Sequence, residues 1–253
     1  MIAALRSILL TGLTLLFVCT NGQQSVLPHA HNDYLHARPL LDAVAAGFRS
    51  VEADVHLKKG QLLVGHDAVN AHSPTLKNIY LQQLDSLINA GDGCKRQAVF
   101  FLLVDLKTDG DETLTQLGRE LGDFPSWLDG TCPVRVVVSG NVPKSRMLTE
   151  PFSGVYIDGR PDDLGKGIDA ARMPWISDRF SKWGSAEMKG GIGKEALERI
   201  ASLAARIHAE GKLFRLWAIP DNPLAWKQLK DSGVDLLNTD RLEAMHDFLR
   251  QLR

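Results

Sequence analysis

Cysteine is scarce here, three in 253 residues. Net charge is almost absent as well: 29 Lys and Arg against 30 Asp and Glu leave −1. Without a basic field there is no electrostatic ground for a nucleic-acid partner, and a charged substrate has to be met by a local site. No apolar run is long enough to cross a bilayer, since the longest, Ile8 to Cys19, falls short of the roughly 20 residues required. Histidine thins out along the chain, with only His208 and His246 beyond His72. Internal repeats, linkers and low-complexity segments are missing too.

The short apolar run has a meaning of its own. Arg6 precedes it and the polar stretch Thr20 to Gln24 follows, which is the layout of a cleavable leader over residues 1–24. Export to a periplasmic or extracellular compartment is therefore expected, with residues 25–253 as one mature domain and no membrane span within it. Cys19 could anchor a lipoprotein, although Val18 before it is bulkier than the small residue such sites carry. Once the leader is gone, Cys94 and Cys132 remain. In an oxidising compartment they either pair or stay as two thiols in separate loops.

What is present is a regular alternation. Apolar runs read as strands at Val26–His29, Ser50–Val55, Val99–Asp105, Val134–Ser139, Gly154–Asp158, Met173–Ser177, Phe214–Ala218 and Val234–Asn238. Amphipathic helices are predicted at Pro39–Ala46, Glu112–Leu121, Lys194–Glu210, Pro223–Asp231 and Leu242–Leu252. Gly47, Gly211 and Gly233 stand where helices end. Near-continuous apolar strands separated by helices imply a parallel sheet under helices, and eight such units in about 250 residues imply an α/β chain folded as a (β/α)₈ TIM barrel. Gln61–Gly65 follows the second strand too closely for a crossover and is expected to return as a hairpin beside the barrel mouth. The stretch from Gly159 to Gly193, rich in glycine and charge, is expected to hold long loops.

Active sites of such barrels lie at the carboxyl ends of the strands. The first strand ends in His29-Ala30-His31-Asn32, the second carries Glu52-Ala53-Asp54, the hairpin ends in His66-Asp67, and the next strand ends in Asp105-Leu106-Lys107. Glu52 and Asp54 are two apart on a strand and point the same way. Carboxylates gathered in an otherwise apolar strand need a cation, and one divalent ion, Mg²⁺ or Ca²⁺, suits Glu52, Asp54 and Asp105 as oxygen ligands. Solvated strand charges, or an ion pair with Lys107, are the plainer reading. His31 and His66 can pass a proton in each direction near neutral pH. His29 is either a support behind the site or part of its wall. His36, His56, His72, His208 and His246 are assigned to structure or surface. The functional groups thus fall in the first half, and the second half is expected to fill the barrel with packing residues.

These residues resemble the phosphatidylinositol phospholipase C-like phosphodiesterases, a group that includes glycerophosphodiester phosphodiesterases and sphingomyelinase D. The match runs through His31, Ser50-Val51-Glu52-Ala53-Asp54-Val55, Leu63-Val64-Gly65-His66-Asp67, Val104-Asp105-Leu106-Lys107, Arg215-Leu216-Trp217-Ala218 and Gly233 to Asp240. The opening His29-Ala30-His31-Asn32-Asp33-Tyr34 looks most like the branch named for altered inheritance of mitochondria protein 6. The resemblance implies His31 and His66 as the acid/base pair, Glu52, Asp54 and Asp105 as metal ligands, and substrate contacts from Lys107, Trp217, Asn32 and His29. Trp217 as barrel packing is the alternative. The chain departs from the glycerol enzymes in having Asn32-Asp33 after His31, no glutamate between His31 and Glu52, and no long insertion after the second strand.

The expected activity is cleavage of a phosphodiester, of lipid head-group or glycerophosphodiester type, through a cyclic phosphate, by a chain that can work as a monomer. Two other readings compete. A barrel that holds a phospho-ligand without turning it over would have lost part of this residue set. A His-x-His amidohydrolase-type metal hydrolase, built on His29 and His31, would need further histidines on later strands, where the sequence has none.

Overall fold

The computed structural model describes residues 26–90, 98–150 and 152–252. Eight parallel strands close on themselves: β1 (Leu27–Ala30), β2 (Ser50–Lys58), β4 (Phe100–Leu106), β5 (Val134–Gly140), β6 (Val155–Gly159), β7 (Trp175–Arg179), β8 (Leu213–Trp217) and β9 (Leu236–Thr239). Closure comes from β1, which pairs in parallel with β9 on one side and with β2 on the other. β3 (Gln61–Val64) runs antiparallel to the far end of β2, with Lys58 opposite Gln61. Lys59 and Gly60 both take positive φ there, the geometry of a two-residue hairpin turn. The barrel is the expected (β/α)₈ architecture, and each predicted strand overlaps an observed one.

The helices follow their sequence signals. α3 (Gly110–Leu121) starts at Asp109, whose side chain accepts from the Glu112 amide at 3.0 Å, and it buries Leu114, Leu117 and Leu121 against the barrel. α7 (Pro223–Asp231) has Asn222 as its cap and Pro223 in its first turn. α6 (Lys194–Ala209) and α8 (Leu242–Gln251) lie where predicted, and α1 (Leu41–Ala45) is shorter than predicted. A helix that the sequence reading left unassigned, Gln82–Ala90 with a π-turn Lys77–Leu81 before it, covers the barrel between β3 and β4. Its signal was present: Leu76, Tyr80, Leu84 and Ile88 recur every fourth residue, and all are buried. Within Gly159 to Gly193 the expected loops hold β7 and short 3₁₀ turns, and β7 lies two residues later than predicted. The expected leader, with Cys19, lies outside the described residues, as does Cys94. Cys132 is disulfide-bonded.

Strand alternation sorts the interior into tiers. Outward residues such as Leu102, Val104, Val136 and Val138 join the large core beneath the helices. The inward set at the amino-terminal end is a small apolar plug of Phe101, Leu103, Val137, Trp175 and Leu236, with the Phe101 and Trp175 rings 5.1 Å apart. Above the plug the same strands turn polar, with Ser139, Asp158, Ser177, Arg215 and Asn238 all buried. The expectation that the second half fills the barrel with packing residues holds only for the lowest tier and is corrected above it.

One glycine couples fold to site. Gly140 at the end of β5 has φ +71, and a Cβ there would stand 1.9 Å from Asp105 Oδ1 and 2.6 Å from the Leu106 carbonyl oxygen. Gly140→Ala is expected to cost about 3 kcal/mol and lower the melting temperature by roughly 5–10 °C in a thermal unfolding scan. An unchanged melting temperature would contradict the close approach.

Candidate active site

β2 delivers the centre of the site. Its alternation sends Ser50, Glu52 and Asp54 into the barrel, while Val51, Ala53 and Val55 are buried on the outside. Asp54 is the register partner of Asp105 on β4, so the two carboxylates stand side by side. Ligand oxygens of Glu52, Asp54 and Asp105 lie within 4.8 Å of one another. Lys107 Nζ lies 3.1 Å from Asp54 Oδ2 and 2.8 Å from Asp105 Oδ2. Both carboxylates nevertheless keep one oxygen, Oδ1, buried and without a hydrogen-bond partner. A buried carboxylate oxygen left bare is costly, and a hard cation is the natural partner for such an oxygen. Burial, reinforced by the Asp54 and Glu52 charges, pushes the Asp105 carboxyl up despite the pull of Lys107.

Glu52 is already matched. Burial disfavours its charge, but the Arg215 guanidinium, 2.5 Å from Oε2, and a hydrogen bond from His29 overrule that and hold its carboxyl low. His29 is wholly buried, and burial together with Arg215 lowers it to about 4. At neutral pH the ring is therefore uncharged: Nε2–H donates to Glu52 at 3.2 Å, and Nδ1 accepts from the Ser50 hydroxyl at 2.6 Å. With both nitrogens occupied and no exposure, His29 cannot touch a substrate. The expectation of a substrate contact there is corrected to a support behind Glu52.

The two remaining histidines are held alike. His31 Nδ1 donates to Asp240 Oδ1 at 2.9 Å, and His66 Nδ1 donates to Asp54 Oδ2 at 2.8 Å, which leaves Nε2 of each ring for chemistry. Burial works against a charged His31, yet the Asp240 hydrogen bond and the Glu52 and Asp240 charges outweigh it and raise the imidazole above its usual range. A chain of polar contacts joins the pair. The Tyr34 hydroxyl donates to Asp54 at 2.9 Å and lies 2.8 Å from the side-chain amide of Asn32, which stands beside the His31 ring. Asn32 reaches this position from a left-handed backbone, φ 47 and ψ 40. His208 and His246 bond to Asp235 and Ala46 O, which precede β9 and β2 at the amino ends of the strands, and His56 is held by Gly65 O.

Of the opposite wall, only Trp217 was read from sequence as part of the site. Asp158 accepts from Ser139, Ser177 and Trp175 Nε1 and pairs with Arg160 at 2.8 Å, while Arg160 also bonds Ser139 and Ser177. Arg215 bonds Asn238 at 3.0 Å as well as Glu52. The signal was a charged residue at the inward phase of an apolar strand, Asp158 on β6 and Arg215 on β8. Trp217, two residues beyond Arg215, is half-buried at the rim with the Arg179 guanidinium 5.3 Å from its ring centroid.

A closed parallel barrel that gathers carboxylates and two carboxylate-held histidines at its mouth is equipped for phosphodiester chemistry. The chain belongs to the family of the AIM6-like phosphodiesterase domain, whose model matches residues 19–152, and is an enzyme of phosphodiesterase type. It is similar to altered inheritance of mitochondria protein 6 of Eremothecium gossypii, 28% identical over 87% of this chain and 68% of the relative. A homolog from Arthroderma benhamiae is 25% identical, over 89% of this chain and 84% of its own length. Among solved structures the fold is shared with a calcium-dependent phosphoinositol-specific phospholipase C from Pseudomonas sp, at TM-score 0.56 and 14% identity, covering 88% of this chain and 91% of that one.

Because Asp240 raises His31, Asp240→Asn is expected to move the His31 pKa downward. An NMR titration of the imidazole resonances measures this, and an unmoved or higher value would show that Asp240 does not set the proton affinity of the ring.

Proposed function

We propose that the protein is a phosphoric diester hydrolase that uses one divalent cation, Mg²⁺ or Ca²⁺, and passes protons through His31 and His66. The observation that carries this is the pair of buried, unpartnered oxygens, Asp54 Oδ1 and Asp105 Oδ1, on two carboxylates of the Glu52, Asp54 and Asp105 group. That group is all carboxylate, a donor set that suits a hard ion better than zinc. The calcium dependence of the Pseudomonas phospholipase C, stated in its own description, is compatible with the same choice here. Bound between these residues, a divalent ion would offset the charge of the phosphoryl oxygens.

The chain's own groups supply the rest of the reaction. A substrate hydroxyl next to the phosphate loses its proton to one imidazole Nε2 as its oxygen bonds to phosphorus. The other imidazolium gives a proton to the departing oxygen as that P–O bond breaks, and a cyclic phosphate is left. Water then opens the ring with the two histidines in reversed roles. Asp240 and Asp54 fix the ring orientations, and Asn32 and Tyr34 keep the two sides in register. Lys107, Asn32 and Trp217 are the residues we assign to the substrate, with lipid head groups or their glycerol derivatives as its class. We read residues 1–24 as a leader and residues 25–253 as a single exported domain.

Turnover of bis-p-nitrophenyl phosphate tests the mechanism. EDTA is expected to abolish it and added Mg²⁺ or Ca²⁺ to restore it. His31→Ala and His66→Ala are each expected to lower kcat by about 10²–10⁴, with melting curves like that of the wild type. Metal-independent turnover, or wild-type rates in both variants, would overturn the proposal. Asp54→Asn and Asp105→Asn are expected to weaken cation binding by about 10- to 100-fold, as read by isothermal titration of the metal alone. Unchanged affinity in both would remove them from the ligand set.

A further inference from the structure

Arg179 and Trp217 are register partners at the carboxyl ends of β7 and β8. Each continues the inward alternation of its strand, one step nearer the mouth than Ser177 and Arg215. Ser177 bonds Asp158 and Arg215 bonds Glu52, so the pair stands directly above the charged interior, at the same end of the barrel as the proposed site and across from it. The Arg179 guanidinium lies over the Trp217 ring at 5.3 Å. Arg179 is exposed, and among the described residues no carboxylate pairs with it. Its neighbour Asp178 is taken by Lys182 at 2.8 Å and by Trp183 Nε1 at 3.1 Å. The other two guanidiniums on this wall are committed, Arg160 to Asp158, Ser139 and Ser177 and Arg215 to Glu52 and Asn238.

From this geometry we infer that Arg179 and Trp217 form the subsite for the substrate's head group and select an anionic head group over a quaternary ammonium. The inference rests on the phosphodiesterase reading of the neighbouring site. An open tryptophan face at a rim is a receptor for a choline-like cation. Here the face already carries a cation, so a trimethylammonium group loses its platform and meets like charge. Among the described residues no carboxylate holds the guanidinium, and its planar N–H fork matches a carboxylate or a second phosphate. The ring restricts the side chain beforehand, which lowers the ordering cost of binding.

Three phosphate monoesters of matched size test this by isothermal titration against the full chain in Mg²⁺: those of choline, 3,3-dimethylbutanol and 3-hydroxypropanoate. The wild type is expected to bind the 3-hydroxypropanoate ester about ten-fold more tightly than the choline ester, with the neutral isostere between them. Arg179→Ala is expected to level the series and to strengthen the choline ester by freeing the ring. Arg179→Ala combined with Trp217→Ala is expected to lose that gain. Arg179→Gln, which removes the charge but keeps bulk over the ring, covers the case in which the alanine variant does not fold and is expected to level the series too. A wild type that prefers the choline ester, or a preference that persists in the Arg179 variants, overturns the inference. Turnover of bis-p-nitrophenyl phosphate by the wild type is read in parallel. Its absence removes the reading of the site as a whole, whereas turnover with a reversed preference removes the head-group assignment alone.

Discussion

The buried ion pair between Glu52 and Arg215 is the interaction on which the rest of the barrel interior depends. A carboxylate taken out of water inside a closed barrel is tolerable only when matched, and removing one partner of such a pair costs about 3–5 kcal/mol. Here the match comes from the far side of the barrel, β8, at 2.5 Å, with Asn238 on β9 steadying the guanidinium and His29 on β1 steadying the carboxylate. The first two strands of the chain and the last two, consecutive around the barrel, are thereby tied at one level. That level separates an apolar plug below from a reactive mouth above.

The mouth inherits a graded electrostatic design. Glu52 is neutralised by protein alone, which makes it a fixed point. Asp54 and Asp105 are only partly neutralised by Lys107 and retain bare oxygens, so the unmet demand for positive charge is concentrated on one side of the site. The histidines sit at the edges of that demand. Each is oriented by a carboxylate through Nδ1, and one of those carboxylates, Asp54, belongs to the acidic group itself. In the proposed reaction, proton transfer and charge stabilisation would therefore share a residue, and small displacements of β2 would disturb both.

Family membership and geometry agree on phosphodiesterase chemistry, but they come from different parts of the chain. The family model spans residues 19–152, which hold His31, Glu52, Asp54, His66, Asp105 and Lys107. The wall formed by Asp158, Arg160, Arg179, Arg215 and Trp217 comes from the remainder. The family model thus covers the residues assigned to the reaction, and the wall assigned to the head group lies beyond it.

The sequence by itself determined the strand and helix order, the barrel and the acidic and imidazole residues at its first rim, because each is a local signal: a two-residue alternation, an Asn or Asp at a helix start, a carboxylate inside an apolar strand. His31, Glu52, Asp54, His66 and Asp105 were legible for that reason. Only the tertiary structure decided which charges meet. Arg215 and Glu52 are separated by 163 positions, and no local pattern says that barrel closure will bring them together. For the same reason His29 could not be assigned to support or wall until its neighbours were in place, and Arg179 could not be matched to Trp217. Local periodicity tells which way a side chain points; the group it finds there depends on how the strands close around the axis.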